Sequence, residues 1–138
     1  MKFDTRKQKG KMGVAMAIAY FTSIGAAVSI PIDDTQDYDI IADINGILNK
    51  VQVKSSGSLS KYNSYCFDLR STGGTNGKVY KNPVDLDCDS FFLFCENRDM
   101  FYFPKSELNG LNSVAVKSVR SDKKFGSDNP WIKFLVNI

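Results

Sequence analysis

Histidine is absent from all 138 residues. Its absence removes Ser-His-Asp and Cys-His nucleophilic sites, imidazole acid–base catalysis and histidine-ligated zinc. Cysteine is scarce. Cys66, Cys88 and Cys95 are odd in number and show no C-x-x-C spacing. They read as reduced thiols of a cytoplasmic protein, not as a disulfide framework or a zinc site. No stretch supplies the ~20 apolar residues of a membrane span, so no membrane partner is expected. Repeats and interdomain linkers are also missing, and the chain reads as one domain, 1–138, with 120–138 a C-terminal extension. Chemistry in such a chain has to run on carboxylates, amides, lysines, a hydroxyl or a bound metal.

Charge of neither sign dominates: 18 Lys and Arg stand against 15 Asp and Glu, a net +3. The distribution says more. Lys2, Arg6, Lys7, Lys9 and Lys11 crowd the first eleven residues, with Asp4 the one acid among them. Asp33, Asp34, Asp37, Asp39 and Asp43 crowd a second stretch. A basic arm beside an acidic pocket suits a protein that grips phosphates and needs a metal. Two solvated faces of opposite sign are the plainer account.

Residues 1–27 have a basic start, an apolar stretch from Met12 to Ile24 and small residues at Gly25-Ala26-Ala27, the outline of a secretory signal. Tyr20, Thr22 and Ser23 dilute that stretch, and Thr5-Arg6-Lys7-Gln8 forms a capping box that starts a helix. The helix reading is preferred, over about 6–24 with Gly25 as its C-terminal cap. Met12, Ala15, Met16, Ala19 and Ser23 line one face of it, and Val14, Ile18 and Phe21 another. Strands are expected at Ala26–Pro31, Tyr38–Ile44, Ile47–Ser55, Tyr65–Arg70, Asp89–Glu96, Met100–Pro104 and Val114–Val119. The run Phe91–Phe94 has the unbroken apolar character of a strand covered on both faces. Residues 56–64 and 71–78 read as Gly-rich loops and 120–130 as a polar, mobile segment. Thr72–Lys78 fails as a phosphate loop, since Thr72 and Val79 stand where Gly and Ser or Thr are needed. The fold class is α+β, an N-terminal helix packed on a mixed central β-sheet.

One hairpin carries chemistry. Asn45-Gly46 suits a type I′ turn, which needs positive φ at both central positions. With those as loop residues, Asp39 faces Gln52, and Lys54 projects from the same face two residues on. Ile40, Ala42, Ile44, Ile47, Val51 and Val53 fall on the other face, where a core belongs. A carboxylate, an amide oxygen and an ammonium then share one side of a sheet. Phosphodiester hydrolysis uses such a set: oxygens to hold Mg²⁺, a lysine to stabilise developing charge. A solvent-facing polar hairpin with a cross-strand ion pair is the alternative.

The segments Lys9-Gly10, Gly13, Ala17–Phe21, Val28–Pro31, Tyr38–Ile41 and Val51–Lys54 resemble the PD-(D/E)XK nucleases. The similarity is nearest to the branch of intron-encoded homing endonucleases and Holliday-junction-resolvase-like proteins. Phe67–Ser71, Asp89–Cys95 and Tyr102–Leu108 extend it over about 6–119. The resemblance implies a restriction-endonuclease-like core and Mg²⁺-dependent hydrolysis of double-stranded or branched DNA. It implies catalytic roles for Asp39, Gln52 and Lys54, with Asp39, Gln52 and the Val53 backbone carbonyl holding the metal. It also implies a homo-oligomer, dimer or tetramer, because two strands need two sites. Arg6, Lys7, Lys9 and Lys11 are then candidates for phosphate contacts, and Lys61, Arg70, Lys78 and Lys81 for groove contacts. The family pattern K-G-x-x-G-E-x-x-A places Glu on the first helix, where this chain has Val14. Asp37, facing Lys54 if the ladder extends that far, or Asp34 is the available substitute. A chain that has lost cleavage and kept binding to DNA or to a partner protein is the competing expectation.

Overall fold

Thr5 has an extended backbone, and its side-chain oxygen accepts the Gln8 N–H at 3.0 Å, which starts helix α1 (Arg6–Ser23). At the other end Ile24 N–H donates to the Tyr20 carbonyl, and Gly25 takes φ 85°, the left-handed turn that ends the helix. The computed structural model describes residues 5–57, 59–73, 78–117 and 129–138, with the side chains of 72, 73 and 78–80 outside that description. Most of the segment expected to be mobile, 120–130, thus lies outside the described residues.

The remaining elements are β1 (Ala27–Ser29), β2 (Ile40–Ile44), β3 (Ile47–Ser56), β4 (Ser64–Asp68), β5 (Ser71–Gly73), β6 (Lys78–Lys81), β7 (Ser90–Cys95), β8 (Met100–Pro104), β9 (Ser113–Lys117) and β10 (Leu135–Val136). The main sheet runs β1-β2-β3-β7-β8-β10, parallel between β3 and β7 and antiparallel elsewhere. Asn45 and Gly46 have φ of 53° and 86°, as the turn requires. The hairpin register is Ile40↔Val51 through Ile44↔Ile47, the one expected from a two-residue turn.

Both faces of the main sheet are covered. On one, Ala17 and Phe21 of α1 pack against Ile40, Ala42, Val51, Val53, Phe92 and Phe94. On the other, Phe91, Leu93, Phe101 and Phe103 meet Tyr65, Phe67, Val114 and Val116 of a second sheet, β4 with β9. This double cover is why Phe91 to Phe94 are all fully buried. Trp131 and Phe134 close over Phe103, with ring centroids 4.9 and 5.8 Å away.

The expected strand near Val114 forms, and it pairs with β4 in a second sheet apart from the main one. Two expectations need correction. Residues 71–78 are not simply a loop, because β5 and β6 pair as a hairpin across them. The buried stripe of α1 is Gly13, Ala17 and Phe21, whereas Ala15 and Ser23 are exposed. Small residues decided that stripe by letting the helix backbone approach β3 closely. A Cβ built on Gly13 would stand 2.0 Å from Ser55 Oγ and 3.2 Å from Val53 Cγ1. Ser55 Oγ is itself buried and has no hydrogen-bond partner among the described residues. Gly13→Ala is therefore expected to destabilise by about 1–2 kcal/mol despite the helix propensity gained. Ser55→Ala should be neutral or stabilising, and in its presence Gly13→Ala should cost less than about 0.5 kcal/mol. Denaturant midpoints of the two single variants and the double variant measure this coupling; additive effects would show that this close approach does not govern helix docking.

Candidate active site

β2 and β3 end at different levels, and the site lies in the step between them. Backbone groups at odd positions of β3 point toward β2: the Val51 carbonyl accepts Asp39 N–H at 2.9 Å. Even positions point toward β7, where the Lys50 and Ser56 carbonyls accept N–H bonds from Asp89 and Glu96 at 2.8 and 2.9 Å. Beyond Ile40 the β2 backbone leaves the ladder. Val53 N–H donates to the Asp39 carboxylate instead, at 2.7 Å to Oδ2. Asp39 therefore does not face Gln52 as a ladder pair, contrary to expectation, because its side chain replaces the missing strand as the partner of β3. N–H and C=O of one strand residue point to the same side, so the Val53 carbonyl opens onto the same gap. Among the described residues, Asp39 Oδ1 and the Gln52 amide have no hydrogen bond.

Gln52 and Lys54 project from the face of β3 opposite α1, as the alternation predicts. They line a cleft of about 140 Å³ together with Gln36, Asp37, Ser71 and Leu86. Gln36 also borders a second cleft of about 400 Å³, lined by residues 30–34, Tyr38 and Asp39. Gln36, Ser71 and Leu86 reach the site from loops and a short hairpin, with no spacing in the sequence that would have marked them.

Electrostatics tie the groups together. Burial pushes the Asp39 carboxyl up from its ordinary pKa, opposed by the Val53 N–H and by Lys54. Burial pushes the Lys54 ammonium down, opposed by Asp39, Asp68 and Cys88. Lys54 Nζ donates to the Arg70 carbonyl at 3.3 Å. Each charged form is short of solvent, so an arriving cation or phosphate is favoured beside its opposite partner. Asp37 behaves otherwise. The Asp87 N–H and the Lys81 ammonium, at 2.9 and 2.8 Å from Oδ2, hold its carboxyl below the usual range.

The oxygen groups nearest the gap are the Asp39 carboxylate and the Val53 backbone carbonyl, with the Gln52 amide in the adjoining cleft. That set fits a hard divalent cation such as Mg²⁺ and not a thiolate-seeking metal. Among the described residues no group of three or more His, Cys, Asp or Glu gathers to hold a metal, so neutral oxygens have to complete the shell.

Val14 packs among the partly buried side chains of the helix-side core. Tyr20 stacks toward Phe92 and Tyr102, which puts its flank of α1 over β7 and β8. At about 100° per residue, Val14 and Ile18 lie on the opposite flank, toward β2 and the gap. Gly13 meets Val53 and Ser55, so position 14 stands at the level where Asp39 bonds β3.

The basic residues are distributed unevenly. Arg6, Lys7 and Lys11 are exposed and Lys9 is half-buried, all on the first turns of α1. Gly13 lies over Ser55, near the end of β3, and Arg6 is about 10 Å further along the axis, so these cations overhang the end of the sheet that carries Lys54. Lys61 is exposed and lies over the Tyr62 ring at 5.0 Å. Arg70 is committed to Asp68 through two bonds of 2.9 Å, and Lys81 to Asp37. The Lys78 side chain lies outside the described residues.

Among the described residues no helix is long and apolar enough to cross a membrane. A family model described as PD-(D/E)XK endonuclease matches residues 4–129. A solved structure of a bacterial homing endonuclease, I-Ssp6803I, superimposes with a TM-score of 0.72 at 24% identity. The alignment covers 96% of this chain and 88% of that one, and at such identity it speaks for the restriction-endonuclease-like fold. No curated protein matches the chain.

Proposed function

The chain belongs to the PD-(D/E)XK endonuclease family, and on that premise we propose that it is a Mg²⁺-dependent, homing-endonuclease-like enzyme hydrolysing phosphodiester bonds in double-stranded or branched DNA. The observation that carries this reading is the open edge of β3. There the Asp39 carboxylate takes the Val53 N–H in the gap left by β2, within electrostatic reach of Lys54, which lines the adjoining cleft with Gln52.

Asp39, Gln52 and the Val53 carbonyl are the residues to hold Mg²⁺. When bound, the ion polarises the scissile phosphate and lowers the pKa of a water molecule. Asp39 is oriented for this by the Val53 N–H, which fixes Oδ2 and leaves Oδ1 without a partner among the described residues. Lys54 is held by the Arg70 carbonyl in a poorly solvated site, where an ammonium stabilises developing phosphate charge better than in water. The overhanging start of α1, with Arg6, Lys7, Lys9 and Lys11, anchors phosphates outside the reacting bond. Cutting both strands takes two such sites, so the working unit is a homo-oligomer. A cytoplasmic setting suits the three free cysteines.

One observation favours a second reading, a relative that only binds DNA or a partner protein: Val14 leaves the metal one carboxylate short. Incubating purified protein with linear, supercoiled and four-way-junction DNA, with Mg²⁺ or EDTA, separates the two. Mg²⁺-dependent products that Asp39→Asn removes support the enzyme. DNA binding without products supports the second reading.

Phosphate anchoring has its own test. Replacing Lys7, Lys9 and Lys11 together by Ala is expected to weaken DNA binding and flatten the log-affinity against log-salt slope. The slope should fall by about one unit for every phosphate that is no longer neutralised. An unchanged slope in a fluorescence-anisotropy titration would leave these lysines as mere surface charge.

A further inference from the structure

The metal site described above is one anionic ligand poorer than the chemistry wants, and the structure contains a second carboxylate in the cleft lined by Gln52 and Lys54, which adjoins the cleft of Asp39 through Gln36. Asp37 lines that cleft with Gln52 and Lys54. It does so although β2 begins only at Ile40, so no ladder holds it there. Two donors hold it instead, and both take the same oxygen: Asp87 N–H at 2.9 Å and Lys81 Nζ at 2.8 Å, each to Oδ2. No described residue takes Oδ1.

The two donors differ in kind. Asp87 N–H is a backbone group that fixes where the carboxylate sits. Lys81 is a flexible cation with a half-exposed side chain, at the end of β6. Its cross-strand partner Ser71 lines the cleft as well. The lysine end of this ion pair is open to water while the Asp37 side chain is largely covered, and a nucleic-acid phosphate is a competitive acceptor for the lysine. While Lys81 stays on Asp37, its charge opposes a divalent cation in the cleft. Once Lys81 turns to a phosphate, the carboxylate regains its full negative field, with Oδ2 still held by the Asp87 N–H and Oδ1 available to the cation.

Resting on the nuclease reading, we propose that Asp37 is an additional carboxylate for the divalent cation, supplied in place of a helix glutamate, and that Lys81 is a latch that frees it when DNA binds. Cation affinity and DNA affinity are then coupled, each raising the other.

The test uses Ca²⁺ as a probe that fills an oxygen site, followed by the thermal shift of the full chain. In DNA-free protein, Lys81→Gln is expected to tighten apparent Ca²⁺ affinity by about tenfold, and Asp37→Asn added to it should abolish the gain. In native protein, adding duplex DNA should produce a gain of similar size that Lys81→Gln no longer shows. Unaltered Ca²⁺ affinity in Lys81→Gln overturns the latch. Loss of the response in Asp39→Asn together with a native response in Asp37→Asn overturns the extra ligand and leaves the nuclease reading standing. Absence of any Ca²⁺ response in the native chain, with and without DNA, sinks both. Should Asp37→Asn fail to fold, the Lys81→Gln comparison still decides.

Discussion

Val14→Glu is expected to raise Mg²⁺-dependent nicking of supercoiled DNA by about tenfold or more, while Lys54→Ala lowers it by about 10²–10³-fold. Position 14 lies on the flank of α1 that faces β2, at the level where Asp39 takes the Val53 N–H. A second carboxylate there turns a site with a single anion on that side into one that a hard cation occupies at millimolar concentration. Without metal the same carboxylate is partly buried among apolar neighbours, which costs about 1–3 kcal/mol. Val14→Glu should therefore melt below the native protein in EDTA and recover, or exceed it, as Mg²⁺ is added. Lys54 works on the other partner, the phosphate, so its removal should spare Mg²⁺-induced stabilisation while erasing cleavage. Asp39→Asn should erase both. Brisk native cleavage that Val14→Glu leaves unchanged would mean that Asp37, once Lys81 has left it, satisfies the cation so fully that a further carboxylate at position 14 adds nothing. If neither chain cuts DNA or responds to metal, the binding-only reading holds.

Phe92→Ala is expected to destabilise the fold by about 3–5 kcal/mol, a large share of the ~5–15 kcal/mol typical of a single domain. Phe92 is 0% exposed. Its ring lies 5.8 Å from Tyr20 and 6.1 Å from Phe21, centroid to centroid. It is where α1 is fastened to the centre of the sheet. The cavity left by truncation sits between two rigid layers that cannot close over it. Loosening α1 also releases Gly13 from Ser55, and with it the placement of position 14. The variant should thus show an early loss of helix signal on thermal melting and, at temperatures where it stays folded, weaker DNA binding. A loss below about 1 kcal/mol in urea denaturation would show that the helix is held chiefly elsewhere.

The hairpin was legible because its information is local. Asn45-Gly46 fixes the turn, the turn fixes the register, and a period of two then assigns Gln52 and Lys54 to one face and Val51 and Val53 to the other. The helix start was equally local, since Thr5 and Gln8 are neighbours along the chain. Phe91–Phe94 announced a doubly covered strand through composition alone. The stripe of α1 that is buried was misjudged, because hydrophobicity favours large side chains while close packing on β3 selected Gly13 and Ala17. The β5–β6 hairpin was read as loop, because a short ladder leaves no strong alternation in sequence.

The sequence by itself thus determined what lies within a few residues of a turn or a cap: α1, the β2–β3 register, and a shared face for Gln52 and Lys54. Only the tertiary structure decided how the site is closed. β2 stops at Ile40, and that stop turns Asp39 from the expected facing partner of Gln52 into a side-chain substitute for the missing strand. Asp37 joins Gln52 and Lys54 through a hydrogen bond from Asp87 and an ion pair to Lys81, 50 and 44 residues away. Pairings of that separation carry no periodic signature, because they are fixed by the closure of loops around an already assembled core.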